Sequence, residues 1–183
     1  MAGSQPGKIS FLVFLGIVQA IAAQAATWKV GRGEAFQSIR TAVEMAAPRD
    51  TILVYPGKYF EKNLVIQKPL FLRGIGKPVL DGEKKYELIS VFASQVTVEG
   101  FVLQRSGSSS MTDYAGIKVY KSEQVTVRNN ILLDMFFGIY FQECKKCFAL
   151  NNMLKSFGVE LVKLNQIVFP SPNKGSLASL VEF

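Results

Sequence analysis

The chain has 183 residues, of which 49% are hydrophobic, and it carries 21 Lys and Arg, 14 Asp and Glu and no histidine. This length allows one domain with a sizeable core. The missing histidine excludes a Ser-His-Asp triad, a histidine general base and every metal site that needs an imidazole. The net charge of +7 comes from scattered residues rather than a long basic run, so we expect no nucleic-acid partner. A solvated basic face, or attraction to an anionic surface, accounts for the charge.

Residues 1–25 are typical of a cleaved export signal. A basic start at Lys8 precedes an apolar run over residues 9–22, and Ala23-Gln24-Ala25 has the small-residue pattern of a cleavage site. The run is short for a membrane span, and an uncleaved anchor is the alternative. We therefore expect an exported protein whose mature chain starts near Ala26.

The first element of the mature chain is predicted to be a helix over residues 34–47. Phe36, Ile39, Val43 and Ala46 share one face of this helix, and Pro48 ends it. Many short apolar strands follow, and each is bounded by Gly, Asn, Asp, Pro or Lys. These strands lie in TILVYPGKYFEKNLVI, PLFLRGIG, PVLDG, LISVF, VTVEGFVL, GIKVY, VTVRN, GIYF and FALNN.

A repeat with a period of 22 residues joins two of these stretches. GIKVYKSEQVTVRNNILL begins at Gly116, and GIYFQECKKCFALNNML begins at Gly138. Aligned at this offset, the stretches match Gly with Gly, Ile with Ile and Asn-Asn with Asn-Asn. The apolar pairs are Val119 with Phe141, Val125 with Cys147, Val127 with Ala149, Ile131 with Met153 and Leu132 with Leu154. A fixed period in this range indicates a repeat architecture.

The repeat predicts an all-β fold, a right-handed parallel β-helix with about 22 residues per turn, over residues 26–154. A sandwich of hairpins would not repeat at a fixed period. The predicted helix would cap the first turn, because an open end exposes both core and unpaired strand edge. Residues 155–183 lose the period and are predicted to be a diverged or truncated tail with no evident cap.

The paired asparagines are predicted to be structural. In stacked turns Asn129 and Asn151 become neighbours at a corner, where asparagine tolerates left-handed backbone and its amide can bond to the next amide. The same prediction covers Asn130 and Asn152.

An earlier copy of the repeat places an insertion at residues 105–115. QVTVEGFVL, from Gln95, matches QVTVRNNILL, from Gln124, at an offset of 29 rather than 22. The extra residues lie in the polar stretch RSGSSSMTDYA, which we call the insertion. Insertions in solenoids often form a binding face, and a passive loop is the alternative.

Cys144 and Cys147 form the one C-x-x-C motif of the chain. Three alternatives stay open for this pair: metal binding, with Cu(I) as the soft metal that thiolates suit; a disulfide in an oxidising compartment; and plain packing, since Cys147 occupies the position of Val125. The acids Asp81, Asp113 and Asp134 are isolated in sequence, whereas polysaccharide-cleaving β-helices need clustered carboxylates. We therefore predict no catalytic residue and no enzyme.

The order of these motifs resembles a known family. FQSIRTAVEMAAPRDTILVYPGKYFEKNLVIQKPLFLRGIGKPVLDG, followed by VTVEGFVLQRSG, AGIKV, VTVRNNI and FGIYFQECKKCFALNN, resembles the NosD family of nitrous oxide reductase maturation proteins. The family is built from parallel β-helix repeats of the carbohydrate-binding and sugar-hydrolase type. The resemblance covers residues 27 to about 153 and matches the front turns of a longer family coil.

The resemblance implies a periplasmic accessory protein without enzyme activity. It would work with an ABC-type transporter and assist assembly of the copper–sulfur centre of nitrous oxide reductase. The opening motif also resembles other β-helix proteins. A carbohydrate-binding or polysaccharide-cleaving protein is therefore the alternative.

Overall fold

A computed structural model describes residues 24–107, 114–155, 162–169 and 178–180. These residues form a parallel β-solenoid of about five turns with one short helix. The prediction of a mostly β fold that coils as a parallel β-helix is confirmed. Most of the predicted export signal lies outside the described residues, as do residues 108–113 of the insertion. No helix within the described ranges is long and apolar enough to cross a membrane.

The strands stack into three columns, which we call faces 1, 2 and 3. Face 1 contains β1 (Thr27–Val30), β2 (Thr51–Val54), β5 (Phe71–Gly74), β8 (Thr97–Glu99), β11 (Thr126–Arg128) and the first half of β14 (Cys147–Lys155). Face 2 contains β3 (Lys58–Tyr59), β6 (Val79–Asp81), β9 (Val102–Gln104), β12 (Ile131–Leu133) and the second half of β14. Face 3 contains β4 (Leu64–Ile66), β7 (Ile89–Val91), β10 (Ala115–Tyr120) and β13 (Phe137–Gln142).

The register of the last turns is the register that the repeat predicted. Ile117 pairs with Ile139, Val127 with Ala149, and Ile131 with Met153, all in parallel and 22 residues apart. Thr97 pairs with Thr126 across the predicted 29 residues. Earlier turns do not keep one period, since Thr51 lies only 20 residues before its partner Phe71. The corners between faces differ in length, while the strand positions stay aligned.

The core is a set of apolar columns inside the coil. Along face 1 one column contains Ile52, Leu72, Val98, Val127 and Ala149, and all of them are fully buried. On face 3, two glycines of the repeat allow close approach of neighbouring atoms in the coil interior. A Cβ at Gly138 would lie 2.4 Å from Leu154, and one at Gly116 would lie 2.8 Å from the Gly138 carbonyl. The repeated Gly-Ile therefore reflects close packing.

Helix α1 (Ile39–Met45) is shorter than predicted. Ser38 caps its N-terminus and accepts a hydrogen bond from the Thr41 amide at 3.3 Å. The Glu61 carboxylate also accepts from the Ile39 amide at 2.8 Å. Phe36 lies outside the helix, because it forms a β-bridge with Val30 and its ring packs on Trp28. The helix contacts strands β1, β2 and β4 at the first turn, as a cap would.

The far end of the coil differs from the prediction of an uncapped tail. Strand β15 (Val162–Phe169) pairs antiparallel with β14, and β16 (Ala178–Leu180) pairs antiparallel with β13. These backbone pairs occupy the strand edges of the last turn, which would otherwise offer unpaired N–H and C=O groups. Because β15 runs antiparallel to β14, its residues do not continue the parallel register of the repeat.

Candidate functional site

The exposed asparagines of the two pairs form a corner between faces 1 and 2. Asn129 has a φ of 56° and Asn151 a φ of 52°, both in the left-handed region. Gly100 takes the equivalent place one turn earlier with a φ of 83°. Asparagine and glycine are the residues that adopt this conformation at least cost. The first asparagine of each pair therefore serves the turn of the backbone.

The second asparagines, Asn130 and Asn152, are fully buried and form what we call the asparagine ladder. The Asn152 Oδ1 accepts from the Asn130 amide N–H at 3.1 Å and from its Nδ2 at 3.2 Å. The Asn130 Oδ1 accepts from the Phe101 amide at 3.0 Å. The Asn152 Nδ2 donates to the Val127 carbonyl at 2.9 Å. Amide-to-amide bonding thus runs through the buried asparagines, not through Asn129 and Asn151 as the sequence predicted.

Cys144, at the corner before β14, and Cys147, the first residue of β14, are buried free thiols. Their sulfurs point to backbone carbonyls, with Cys144 Sγ at 3.8 Å from Val119 O and Cys147 Sγ at 3.7 Å from Ser122 O. Cys147 lies above Val125, as the repeat indicated. Contact with Cys147, together with burial, raises the pKa of the Cys144 thiol well above its ordinary value. The pair has the surroundings of core residues.

Burial limits the access of a metal ion or a partner to these cysteines. A thiol must lose its proton to bind metal; contact with Cys147 and burial oppose this loss at Cys144, whereas contact with Cys144 lowers the pKa of Cys147. Within the ranges described by the structure, no group of three or more Cys, Asp or Glu side chains is placed to hold a metal ion.

The buried carboxylate of Asp81 is engaged by its own chain. It contacts Lys58 Nζ at 3.0 Å, Arg105 Nε at 2.8 Å and Gln104 Nε2 at 2.7 Å, and it accepts from the Glu83 amide at 2.9 Å. Burial alone would raise the pKa of Asp81, but the bonds from Arg105 and its other donors outweigh it and hold the pKa well below the usual range. Asp81 therefore links the strand edges of neighbouring turns on face 2.

Glu99 plays a comparable part on face 1. Its register partners are Arg73 below and Arg128 above. Arg73 Nε lies 3.0 Å from the Glu99 carboxylate, and Arg128 forms an ion pair with the other oxygen. Opposite charges on adjacent rungs stabilise a sheet face, as cross-strand pairs do.

The outer surface of face 3 carries aromatic side chains that the sequence analysis did not single out. Phe92 is 49% exposed and stacks edge-on against Tyr120, with ring centroids 6.1 Å apart. Lys121 Nζ lies 5.1 Å from the Tyr120 ring centre, and Gln142 follows Tyr120 in register on the next turn. Alternation along LISVF and GIKVY could have indicated these outward positions.

A cluster of polar groups, also missed from sequence, lies on the same face. Ser90 is buried although it points away from the coil interior, and it contacts both Asn63 and Glu87.

Elsewhere, a pocket of roughly 270 Å³ opens near the first turn. It is lined by Gly31, Arg32, Gln37, Pro56, Gly57, Lys58 and Tyr59. Two of its polar groups are already bonded, Lys58 to Asp81 and the Tyr59 hydroxyl to the Tyr55 carbonyl at 2.8 Å.

Comparison with protein-family models finds no match for the chain, and comparisons with curated proteins and with solved structures find none either. The β-solenoid is consistent with a protein built from parallel β-helix repeats. The finer resemblance to NosD therefore rests on the sequence motifs.

Proposed function

We propose that this chain is an exported accessory protein of the NosD kind, which binds partner proteins and catalyses no reaction. In this proposal it acts in the periplasm with an ABC-type transporter and assists assembly of the copper–sulfur centre of nitrous oxide reductase. The order of the motifs between residues 27 and 153 supports the proposal, and so does the parallel β-helix.

The use of the buried carboxylates is the observation that favours binding over catalysis. Asp81 and Glu99 each bridge cations from neighbouring turns. Asp50 accepts from the Trp28 indole N–H at 2.7 Å and from the Ala26 and Ala47 amides. Glycan cleavage needs two carboxylates that face a substrate across a short gap. Carboxylates that tie turns together instead give a rigid surface, which suits docking.

Reconstitution of the reductase tests this function. Nitrous oxide reductase would be produced with its transporter, with or without the chain, and its copper content measured after purification. We expect the chain to raise the copper content. The double variant Cys144→Ser, Cys147→Val copies the residues one turn below, Ser122 and Val125, and should act like wild type. Equal copper content with and without the chain would refute the proposal.

The aromatic residues on face 3 favour a second candidate function, carbohydrate binding. Exposed rings beside amide and ammonium groups can stack on the apolar side of a sugar and hydrogen-bond its hydroxyls. On face 3, Phe92 and Tyr120 provide the rings, Gln142 the amide and Lys121 the ammonium.

Affinity electrophoresis in gels that contain soluble polysaccharides tests this candidate. We expect retardation of the wild type and its loss in Phe92→Ala. The control is Phe60→Ala, which removes another exposed ring, one that lies beside Lys58. If the chain migrates unretarded in every polysaccharide, or if both variants lose retardation equally, face 3 is not a glycan site.

A further inference from the structure

The pocket near the first turn, which we call the first-turn pocket, lies between two segments of the chain. The loop before α1 lines one side of it, and residues 56–59, which include β3, line the other. Glycines of both segments lie beside Tyr59. A Cβ on Gly57 would be 3.3 Å from the Tyr59 ring, and one on Gly31 would be 3.6 Å from the Tyr59 hydroxyl oxygen. Because neither glycine has a side chain, the space between the two segments stays open.

The first-turn pocket has a positive charge. Arg32 and Lys58 both line it, and none of the described residues in its lining is acidic. Glu34 is the nearby acid of the same loop, since its Cγ would lie 3.6 Å from a Cβ on Gly31. It does not line the pocket, and within the described part of the chain no ion pair joins it to Arg32. A cleft lined by charges of one sign attracts ligands of the opposite sign, so the pocket favours an anion.

Both cations keep donors available for a ligand. Arg32 is exposed, and among the residues that the structure describes its guanidinium has no hydrogen-bond or ion-pair partner. Lys58 Nζ lies 3.0 Å from the Asp81 carboxylate, and the Lys58 side chain is 47% exposed. An ammonium group has three hydrogens to donate, and Arg105 also pairs with Asp81. Lys58 can therefore bind a further anion while Asp81 keeps its counter-charges.

The two cations fit a phosphate group better than a carboxylate. The planar guanidinium of Arg32 can donate to two oxygens of either anion at once. Lys58 adds a second positive charge on the other side of the pocket. A phosphate monoester carries a charge of about −1.5 to −2 at pH 7 and has three acceptor oxygens, whereas a carboxylate carries a single charge. The charge of the lining therefore matches a phosphate monoester.

The remaining lining suits a small hydroxylated group attached to the phosphate. The volume of roughly 270 Å³ lies just below the range of drug-sized ligand sites, which is about 300–1,000 Å³. Gln37 is exposed, and its amide, which has no partner within the described ranges, can both donate to and accept from hydroxyl groups. Pro56 and the Tyr59 ring add apolar surface. A short polyol or a single sugar has this mixture of hydroxyl groups and carbon atoms.

We propose that the first-turn pocket binds the phosphate monoester of a small polyol or sugar, with the phosphate between Arg32 and Lys58 and a hydroxyl group at Gln37. This binding is independent of the role in copper-centre assembly and of the aromatic residues on face 3. The same phosphate group occurs in soluble esters and in the headgroup of phosphatidic acid, and both sources would present it to Arg32 in the same way.

Isothermal titration calorimetry on the full chain, at neutral pH and constant ionic strength, tests the site with glycerol 3-phosphate and glucose 6-phosphate. We expect saturable binding of at least one ester, and binding about tenfold or more weaker for inorganic phosphate, glycerol and glucose. Arg32→Gln should weaken ester binding by about tenfold or more, because it removes charge-assisted hydrogen bonds. Arg49→Gln, the same change at an exposed arginine outside the pocket, should bind like wild type.

Two results overturn the proposal at once: no saturable binding of either ester, or an equal loss of affinity in Arg32→Gln and Arg49→Gln. Gln37→Ala tests the organic part of the ligand, since it should weaken binding of the ester and leave binding of inorganic phosphate unchanged. If inorganic phosphate binds the wild type as tightly as the esters do, the pocket holds an anion only, and the proposal is wrong.

Cosedimentation with phosphatidylcholine vesicles that contain phosphatidic acid distinguishes the two sources of the phosphate. Vesicle binding that is lost in Arg32→Gln supports the lipid headgroup as the ligand. Ester binding without vesicle binding supports a soluble ligand. Vesicle binding that both arginine variants keep, together with no binding of the esters, would mean that the basic surface as a whole attracts the membrane, and would refute the pocket as a binding site.

Discussion

Each amide of the asparagine ladder satisfies backbone groups of the turn below it. Asn130 donates to the Val98 carbonyl at 3.1 Å, and Asn152 donates to the Val127 carbonyl. In addition, the amides of Phe101 and Asn130, which lie at the corner between strands, donate to the Oδ1 atoms of Asn130 and Asn152, and both residues are fully buried. A buried donor without a partner costs about 1–3 kcal/mol. The side chain at this position is therefore restricted by hydrogen bonding rather than by shape.

Asn152→Ala should lower the free energy of unfolding by about 2–3 kcal/mol, because it leaves the buried backbone amide of Asn130 without its acceptor and removes the side-chain bonds of Asn152 to Asn130 Nδ2 and the Val127 carbonyl. Asn151→Ala should cost about 1 kcal/mol, since it loses only the residue type suited to left-handed backbone. Urea unfolding of both variants gives the comparison. An equal or larger loss in Asn151→Ala would contradict the division of roles between the two asparagines.

The cysteine pair permits a prediction about copper. In a competition titration with a Cu(I) chelator, the reduced chain should bind copper no more tightly than Cys144→Ser, Cys147→Val. Both thiols are buried, so bringing a metal ion to two thiolates would disturb the core. Tight, stoichiometric binding that only the double variant loses would show that the pair is a metal site after all.

Among the elements, face 1 has the clearest division between inside and outside. Val127 is fully buried between Val98 and Ala149, while its neighbour Thr126 points outward between Thr97 and Phe148. In a parallel coil the turns above and below are joined by the backbone ladder and cannot move apart. A charge placed inside therefore finds neither solvent nor a partner.

Val127→Asp should destabilise the protein by about 4 kcal/mol, as an uncompensated buried charge does. Thermal unfolding followed by circular dichroism measures the loss. Thr126→Asp introduces the same side chain on the outer surface of the same strand and should change stability by less than about 1 kcal/mol. Similar melting curves for the two variants would mean that the strand register is wrong.

The elements differ in how far the sequence could predict them. The columns of the last turns were predictable on all three faces, because stacking repeats glycines, apolar residues and corner asparagines at a common offset. Helix α1 was predicted too long, since Phe36 fits a helical period yet its bridge to Val30 places it with β1. Strands β15 and β16 were not predicted as a cap, because antiparallel pairing does not preserve the period.

The candidate sites were harder to predict than the fold. Ser90 meets Glu87 three residues away and Asn63 from the previous turn, and neither contact follows from apolar periodicity. The earlier turns vary in length, so the 22-residue repeat could not predict that Asn63 of the previous turn contacts Ser90. The cysteine motif attracted attention through its spacing, but only the fold shows that both sulfurs point into the core.

At the scale of the whole molecule, the buried acids give stability an optimum between two limits of pH. Hydrogen bonds from Arg105 and the other donors around Asp81 lower the pKa of that carboxyl. The hydrogen bond from the Trp28 indole lowers the pKa of Asp50. Their contributions are present above the unfolded value and are lost as the pH falls through the folded values. The pKa of Glu87 is raised by burial, so this residue acts in the opposite direction. Its contribution to the free energy of unfolding is lost as the pH rises toward neutral.

The acid limb of this curve can be assigned to Asp81 by substitution. Asp81→Asn should cost about 2 kcal/mol at pH 7, because the bonds from Lys58 and Arg105 lose their charged acceptor while both cations keep access to solvent. The wild type should lose stability steeply as the pH falls below about 4, whereas the variant should lose less over the same range. Asp50 still titrates in the variant, so a residual slope is expected. Urea unfolding at pH 2.5, 4 and 7 measures both curves. Parallel curves for the two proteins would show that folding does not lower the pKa of Asp81, and its ion pairs with Lys58 and Arg105 would then not hold face 2 together.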